Sequence, residues 1–499
     1  MVEKLKDEKF IKKLLLIFLV LQPFLDCYLL FADEVMNIFH FSPTTIIRFL
    51  IIGFLFILVF FNKNSKETRK PIIIYGLVIL IYTILHIITT YSYNIDFFPS
   101  FKYSLTAEIF YIARMLLPIC IIYIVYILKI NKEEFINLFL WVAFITSSII
   151  VIMNLLNISL TSYGGNNQIE GNLFSWFSLN KPDSRLLASK GWFNSANQIS
   201  ALFVILLPVC IYSIFDKFSF KRIITLCLCI LAMLMIGTRV STIGWIPIYI
   251  VMLLIYLFCS LILKQVEFKW KNFIGSIIIG CFFGVLYIFS PLVNSAESVD
   301  QAALDAYLDE KAIDLENMTV EEYLPFLAIN EEFYTKLYPY DEHEDFWYYV
   351  AKEVPYYKRG GNRNAQTLIT EDINSNFKTK LSPLFGLGYS RFENAKIYME
   401  KDFLVHYYTI GIIGIILFLS PYIIILVYKL YQILFVDRKL FNFYNIMLLA
   451  ILTLPIGISF MSGHVVDELI VSLYMGFITG IILKNIKPNI KSEEYMIKD

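Results

Sequence analysis

Long, unbroken apolar runs constrain this chain more than any other feature; 14–32, 72–90 and 274–292 are three of them. Runs of about 20 apolar residues match the hydrocarbon core of a bilayer. At that length only helices satisfy every backbone N–H and C=O in lipid. The chain has 499 residues, 58% hydrophobic and only 17% charged, against about 25% charged in soluble domains. A soluble enzyme, a nucleic-acid binder and a disordered scaffold are therefore excluded as descriptions of the whole chain.

Twelve spans are expected, at 14–32, 44–61, 72–91, 106–128, 135–157, 196–216, 221–238, 240–263, 272–292, 403–428, 440–461 and 465–484. The expected fold is all-α: a polytopic bundle of about 12 transmembrane helices with a large extracytoplasmic loop domain between helices 9 and 10. Its divisions are helices 1–9 in 1–292 (with an outer loop at 158–195), the loop domain 293–402, helices 10–12 in 403–484, and a cytoplasmic tail 485–499. The first run carries Pro23 and Asp26 and lacks a small-residue cleavage site. It reads as a retained helix rather than a signal peptide.

Basic residues set the expected orientation. Alternate loops and both termini carry 24 lysines and arginines, while the short loops of the opposite side hold only Lys102, Lys181, Arg185, Lys190 and Arg239. Both termini are thus expected in the cytoplasm of a multi-pass protein of the cytoplasmic membrane. The outer segment 293–402 has the opposite sign, with 21 acidic and 11 basic residues. Within it, Thr319–Glu322 has the pattern of a capping box. The aromatics Tyr338, Tyr340, Phe346, Trp347, Tyr348 and Tyr349 can form a small core or stack on sugars. The seven cysteines all lie in apolar runs, which excludes a disulfide framework in the outer segment. No ligand set for a metal is apparent, since His343 sits in a solvated acidic stretch without a second group of ligands.

Charge inside a membrane usually marks a site. Arg48 and Glu108 lie near span ends, where snorkelling accounts for them. Arg114 lies deeper, and reads either as an ion pair holding the bundle, with Asp26 as one partner, or as a ligand for an anionic headgroup. Arg239 stands in Gly237-Thr238-Arg239-Val240-Ser241, which leaves almost no loop between two spans. A guanidinium pinned there suits bidentate phosphate binding better than simple anchoring. Glu400 and Asp402 stand just before a span, with His406 one helical turn after Asp402; any of the three can serve as a general base. His464 is a further candidate at a span end.

The segment Lys190-Gly191-Trp192-Phe193-Asn194-Ser195-Ala196-Asn197-Gln198, the Thr238–Ser241 turn, Gly386-Leu387-Gly388-Tyr389-Ser390-Arg391, Glu400-Lys401-Asp402 ahead of Gly411-Ile412-Ile413-Gly414, and Ser462-Gly463-His464-Val465 follow one another in an order similar to that of the O-antigen ligase-like membrane proteins, in particular their Gram-positive branch. The resemblance covers nearly the whole chain in topology and about 40 residues in motif. It implies a ligase or polysaccharide polymerase for capsule or wall polymer. Such an enzyme moves a glycan from undecaprenyl diphosphate to a glycan, lipid or wall-polymer acceptor at the outer membrane face, without metal, cofactor or nucleotide sugar. Arg239, with Arg114, Arg185 or Arg391, would then meet the charge of the departing diphosphate. Glu400 departs from the family pattern, because many ligases have a histidine at that place. Two rivals remain. One is a different lipid-linked-sugar glycosyltransferase using Asp33 and Glu34, and the other is a lipid-linked oligosaccharide flippase or transporter. The lack of an internal repeat speaks against the second.

Overall fold

A computed structural model describes residues 7–31, 43–93, 101–163, 167–178, 183–293, 319–327, 329–355, 358, 362–376, 379–397, 399, 401–460, 463 and 465–486. Asp33, Glu34, Glu400 and His464 lie outside the described residues. The described chain is all-helical, and its extended pairings are two isolated bridges, Leu160 with Gln168 and Thr161 with Ser189.

The first helices of the bundle are α1 (Glu8–Leu21), α2 (Pro43–Phe60), α3 (Lys66–Tyr91), α4 (Leu105–Leu128), α5 (Lys132–Leu155), α6 (Ala196–Asp216), α7 (Phe220–Ile236), α8 (Arg239–Ile262) and α9 (Trp270–Ile288). The segment 319–399 adds α10 (Glu344–Lys352) and α11 (Asn362–Asn376), and the chain closes with α12 (Asp402–Tyr431), α13 (Phe443–Ser459) and α14 (Leu469–Lys484). Eight of the described helices are long and apolar enough to cross a membrane, against the twelve expected. The other four expected spans hold the shorter helices α1, α7, α13 and α14. The first shortens because Pro23 and Asp26 fall in its second half, which winds as a tighter 3₁₀ segment, Gln22–Phe31. The last shortens because 465–468 is not helical.

The helices pack by burial. The core is centred on α6, where 94% of the span is buried, whereas α9 is only 17% buried and carries its apolar side chains outward, as lipid requires. A second apolar cluster gathers Tyr323, Phe333, Tyr338, Trp347, Val350 and Ile369 with Tyr93, Phe101 and Tyr408 beside the membrane helices. The capping box at Thr319 forms, with Glu322 returning to the Thr319 N–H. Tyr338, Phe346 and Trp347 are core, while Tyr348 and Tyr349 are exposed. His343 stacks on Tyr338 at 3.5 Å.

Two expectations about intramembrane charge are overturned. Arg48 is buried and grips Asp26 with both terminal nitrogens, at 3.0 and 2.7 Å, while its Nε and Nη2 also reach Gln22. It does not snorkel, because an acceptor set lies within reach across α2 and the 3₁₀ segment. Asp26 is thereby the partner of Arg48 and not of Arg114. Glu108, also fully buried, accepts from the Ser390 N–H and hydroxyl.

A break in α12 organises the rest. Gly411 sits at φ 68° and ψ 179° within the helix, a region essentially reserved for glycine. The carbonyls released there find new donors: Tyr408 O accepts from the Leu387 N–H at 2.7 Å, Thr409 O from the Gly388 N–H at 3.1 Å, and Ile410 O from the Tyr82 hydroxyl at 2.6 Å. Backbone meets backbone at this crossing. A Cβ on Gly411 would lie 2.4 Å from the Leu384 carbonyl, and one on Gly386 would lie 2.4 Å from that of Thr409.

Candidate functional site

Two polar stations emerge. The first lies where the head of α14 meets α4 and α12. Asp402, at the start of α12, accepts the Val465 and Val466 N–H groups on one oxygen at 2.9 and 2.7 Å. That grip holds 465–468 as a turn and delivers Asp467 and Glu468 to Arg114. Asp467 approaches the Arg114 guanidinium to 4.0 Å, a charge pair left open by a gap rather than a closed hydrogen bond. Glu468 also acts on Arg114 through its charge. Arg114 stands 5.4 Å over the Tyr111 ring, which is stacked on Tyr389 at 3.9 Å. Burial pushes the Tyr389 phenol well up, against the pull of Arg114.

His406 completes this station. Its Nδ1 lies 3.1 Å from the Tyr111 hydroxyl. Either group can donate in this contact: with the proton on Nδ1 the imidazole donates to Tyr111, and with the proton on Nε2 it accepts from it. The Thr409 hydroxyl one turn on donates to Val405 O at 2.7 Å. In the Nδ1–H tautomer, Nε2 of His406 is a lone pair. Three buried polar atoms of this station have no hydrogen-bond partner among the described residues: His406 Nε2, Asp467 Oδ1 and Arg114 Nε. One donor beside two acceptors is the complement of a hydroxyl group, which can accept from the first and give its proton to either of the others.

The second station is the Arg239 turn. Gly237 ends α7 at φ 72°, and a Cβ there would strike Ala188 at 2.8 Å. Thr238 caps the next turn by accepting from the Ser241 N–H, and its hydroxyl meets that of Ser200 at 2.7 Å. Tyr163 donates to Gly237 O at 2.7 Å. This frame leaves the Arg239 side chain exposed on a fixed ledge. Burial pushes the Tyr163 phenol up, whereas Arg185, Arg239 and Arg363 all pull it down, so the charge of three guanidinium groups is felt at one ring. Both stations flank the segment after α1: Phe24 packs on Phe193, and Gln22 donates to Ile470 O at 3.0 Å.

The sequence candidates are thus divided. Arg114, Asp402 and His406 come together, as do Arg239 and Arg185. Arg391 goes elsewhere: its terminal nitrogens donate to Thr90 O, Leu387 O and Tyr93 O, and it is 3% exposed. Sequence reasoning missed Tyr111, Arg363, Tyr389, Asp467 and Glu468. For the two acids a signal existed, since both stood inside an expected span where their cost demanded an explanation. No group of three or more metal-ligating side chains occurs among the described residues.

The family model described as O-antigen ligase like membrane protein matches residues 8–489, nearly the whole chain. Comparison with curated proteins gives no match. With eight helices apt to cross a membrane and a match across almost its full length, the chain belongs to the O-antigen ligase-like membrane protein family.

Proposed function

We propose that this protein transfers a glycan from a polyprenyl diphosphate, of the undecaprenyl type, to a hydroxyl acceptor at the outer face of the cytoplasmic membrane. The observation that carries the reading is the convergence of His406 Nε2, Asp467 Oδ1 and Arg114 Nε as buried atoms awaiting partners. The acceptor hydroxyl accepts from Arg114 and gives its proton to His406 Nε2, with Asp467 orienting it. The freed oxygen attacks the anomeric carbon as the bond from that carbon to the phosphate oxygen breaks, so the configuration inverts. The diphosphate leaves with the electron pair, and Arg239, Arg185 and Arg363 meet its charge.

In this reading Asp402 is the clamp that sets Asp467 in place, and Arg391 tethers the segment bearing Tyr389. Glu400 and His464 stay candidates for acceptor contacts. All twelve apolar helices cross the membrane, with the basic loops and both termini on the cytoplasmic side.

Arg239→Lys tests the phosphate station. Lysine keeps the charge but loses the planar two-point contact, so transfer should fall about 10- to 100-fold, the equivalent of one charge-assisted hydrogen bond. The loss should appear mainly as weaker donor binding, measured on purified protein with a lipid-diphosphate-linked glycan. Unchanged donor affinity would remove Arg239 from the site.

A further inference from the structure

The Gly386–Arg391 segment, which lays Tyr389 on Tyr111, is held from below by a buried pair on two neighbouring membrane helices. His86 of α3 has its Nδ1 2.7 Å from Phe385 O and its Nε2 3.2 Å from Glu108 Oε2. The other oxygen of Glu108 takes the Ser390 N–H and hydroxyl, each at 2.7 Å. The Ser390 oxygen in turn accepts from the Ser104 N–H at 3.0 Å. Both side chains of the pair are fully buried.

Proton counting constrains this arrangement. A carbonyl only accepts, so Nδ1 carries a proton, and the contact with Glu108 Oε2 needs a second proton, on Nε2 or on the carboxyl. Two donors on Oε1 and the charge of Arg391 nearby favour the ionised carboxylate, which leaves the second proton on Nε2. Gly388 gives these groups room, since a Cβ there would lie 2.7 Å from Glu108 Oε1 and 3.6 Å from Arg391 Nη1. The Tyr82 ring is stacked on His86 at 5.7 Å, and the Tyr103 ring lies beneath Arg391 at 5.1 Å.

We propose that His86 is a positioning residue held as an imidazolium, donating from both nitrogens to Phe385 O and Glu108, and that this ion pair locks the 385–391 segment and so seats Tyr389 against Tyr111. The reach of the lock into transfer rests on the function proposed above; the protonation of His86 does not.

The experiment uses the full chain with ¹⁵N-labelled histidine, the His86 signal being identified by its loss in His86→Gln. Both ring nitrogens should carry protons in the wild type. In Glu108→Gln only Nδ1 should, because the amide N–H₂ now donates to Nε2 while its oxygen keeps Ser390. That variant should also rescue transfer relative to Glu108→Ala, which supplies neither group and should lose about 10²-fold through misplacement of Tyr389. A singly protonated His86 in the wild type, or a Glu108→Gln protein as impaired as Glu108→Ala, overturns the proposal. The nitrogen signals decide it by themselves, so a wild type without transfer would sink the functional reading and leave this one to the spectrum.

Discussion

Exchange of His406 for alanine is expected to lower glycan transfer by about 10²- to 10⁴-fold, the usual worth of a positioned general base, with donor binding nearly unchanged. The expectation follows from the proton arrangement at Tyr111. With its proton on Nδ1, 3.1 Å from the Tyr111 hydroxyl, His406 has Nε2 as a lone pair inside the station. Tyr111→Phe should lose less, since it removes one contact of the imidazole without removing the imidazole. Asp402 provides the contrast. Its carboxylate is engaged by the Val465 and Val466 N–H groups, and an asparagine oxygen can still accept both. Asp402→Asn should therefore retain much of the transfer, while Asp402→Ala releases the 465–468 turn and with it Asp467. Inactive Asp402→Asn beside active His406→Ala would move the base to Asp402.

The largest effect on stability is expected at the helix break. Gly411→Ala places a Cβ 2.4 Å from the Leu384 carbonyl, with backbone rather than a flexible side chain in the way. The backbone conformation alone costs an alanine about 1 to 3 kcal/mol. Relief by straightening α12 would strand the donors Leu387 N–H, Gly388 N–H and Tyr82 hydroxyl, each worth about 1 to 3 kcal/mol when left buried without an acceptor. A thermal melt in detergent should show a drop of many degrees or no folded protein at all. Gly457→Ala is the matched control, since nothing lies within 4 Å of its added Cβ. Equal melting of the two variants would show that the break is not a fixed part of the fold.

Much of the architecture was legible in the sequence because its causes are local. Apolar runs marked the helices, and the Thr319 capping box needs only four adjacent residues. The Arg239 turn was legible for the same reason: a left-handed Gly237, a capping Thr238 and the lack of any loop lie side by side. The fates of the intramembrane charges were not legible. Arg48 and Glu108 looked like residues reaching for the interface, yet each has acceptors or donors that only the tertiary fold supplies, the latter from Ser390, 282 positions away. The Gly386 and Gly411 motifs were both visible, but nothing in either shows that they cross. Asp467 was overlooked because the last span was drawn four residues too early, which turned the 465–468 turn into the head of a helix. Arg114 was read as a choice between structural pair and ligand. It faces Asp467 across an open gap, so its charge is balanced while its Nε still lacks a partner.

The most direct test of the central claim is a reconstituted reaction. Purified protein in bilayers would be given a glycan on a polyprenyl diphosphate together with a hydroxyl acceptor, and the lipid and glycan products would be followed separately. The account predicts release of polyprenyl diphosphate in step with a glycan of inverted linkage on the acceptor, and neither product from His406→Ala. Movement of intact lipid-linked glycan across the bilayer, with no glycan joined to the acceptor, would contradict it.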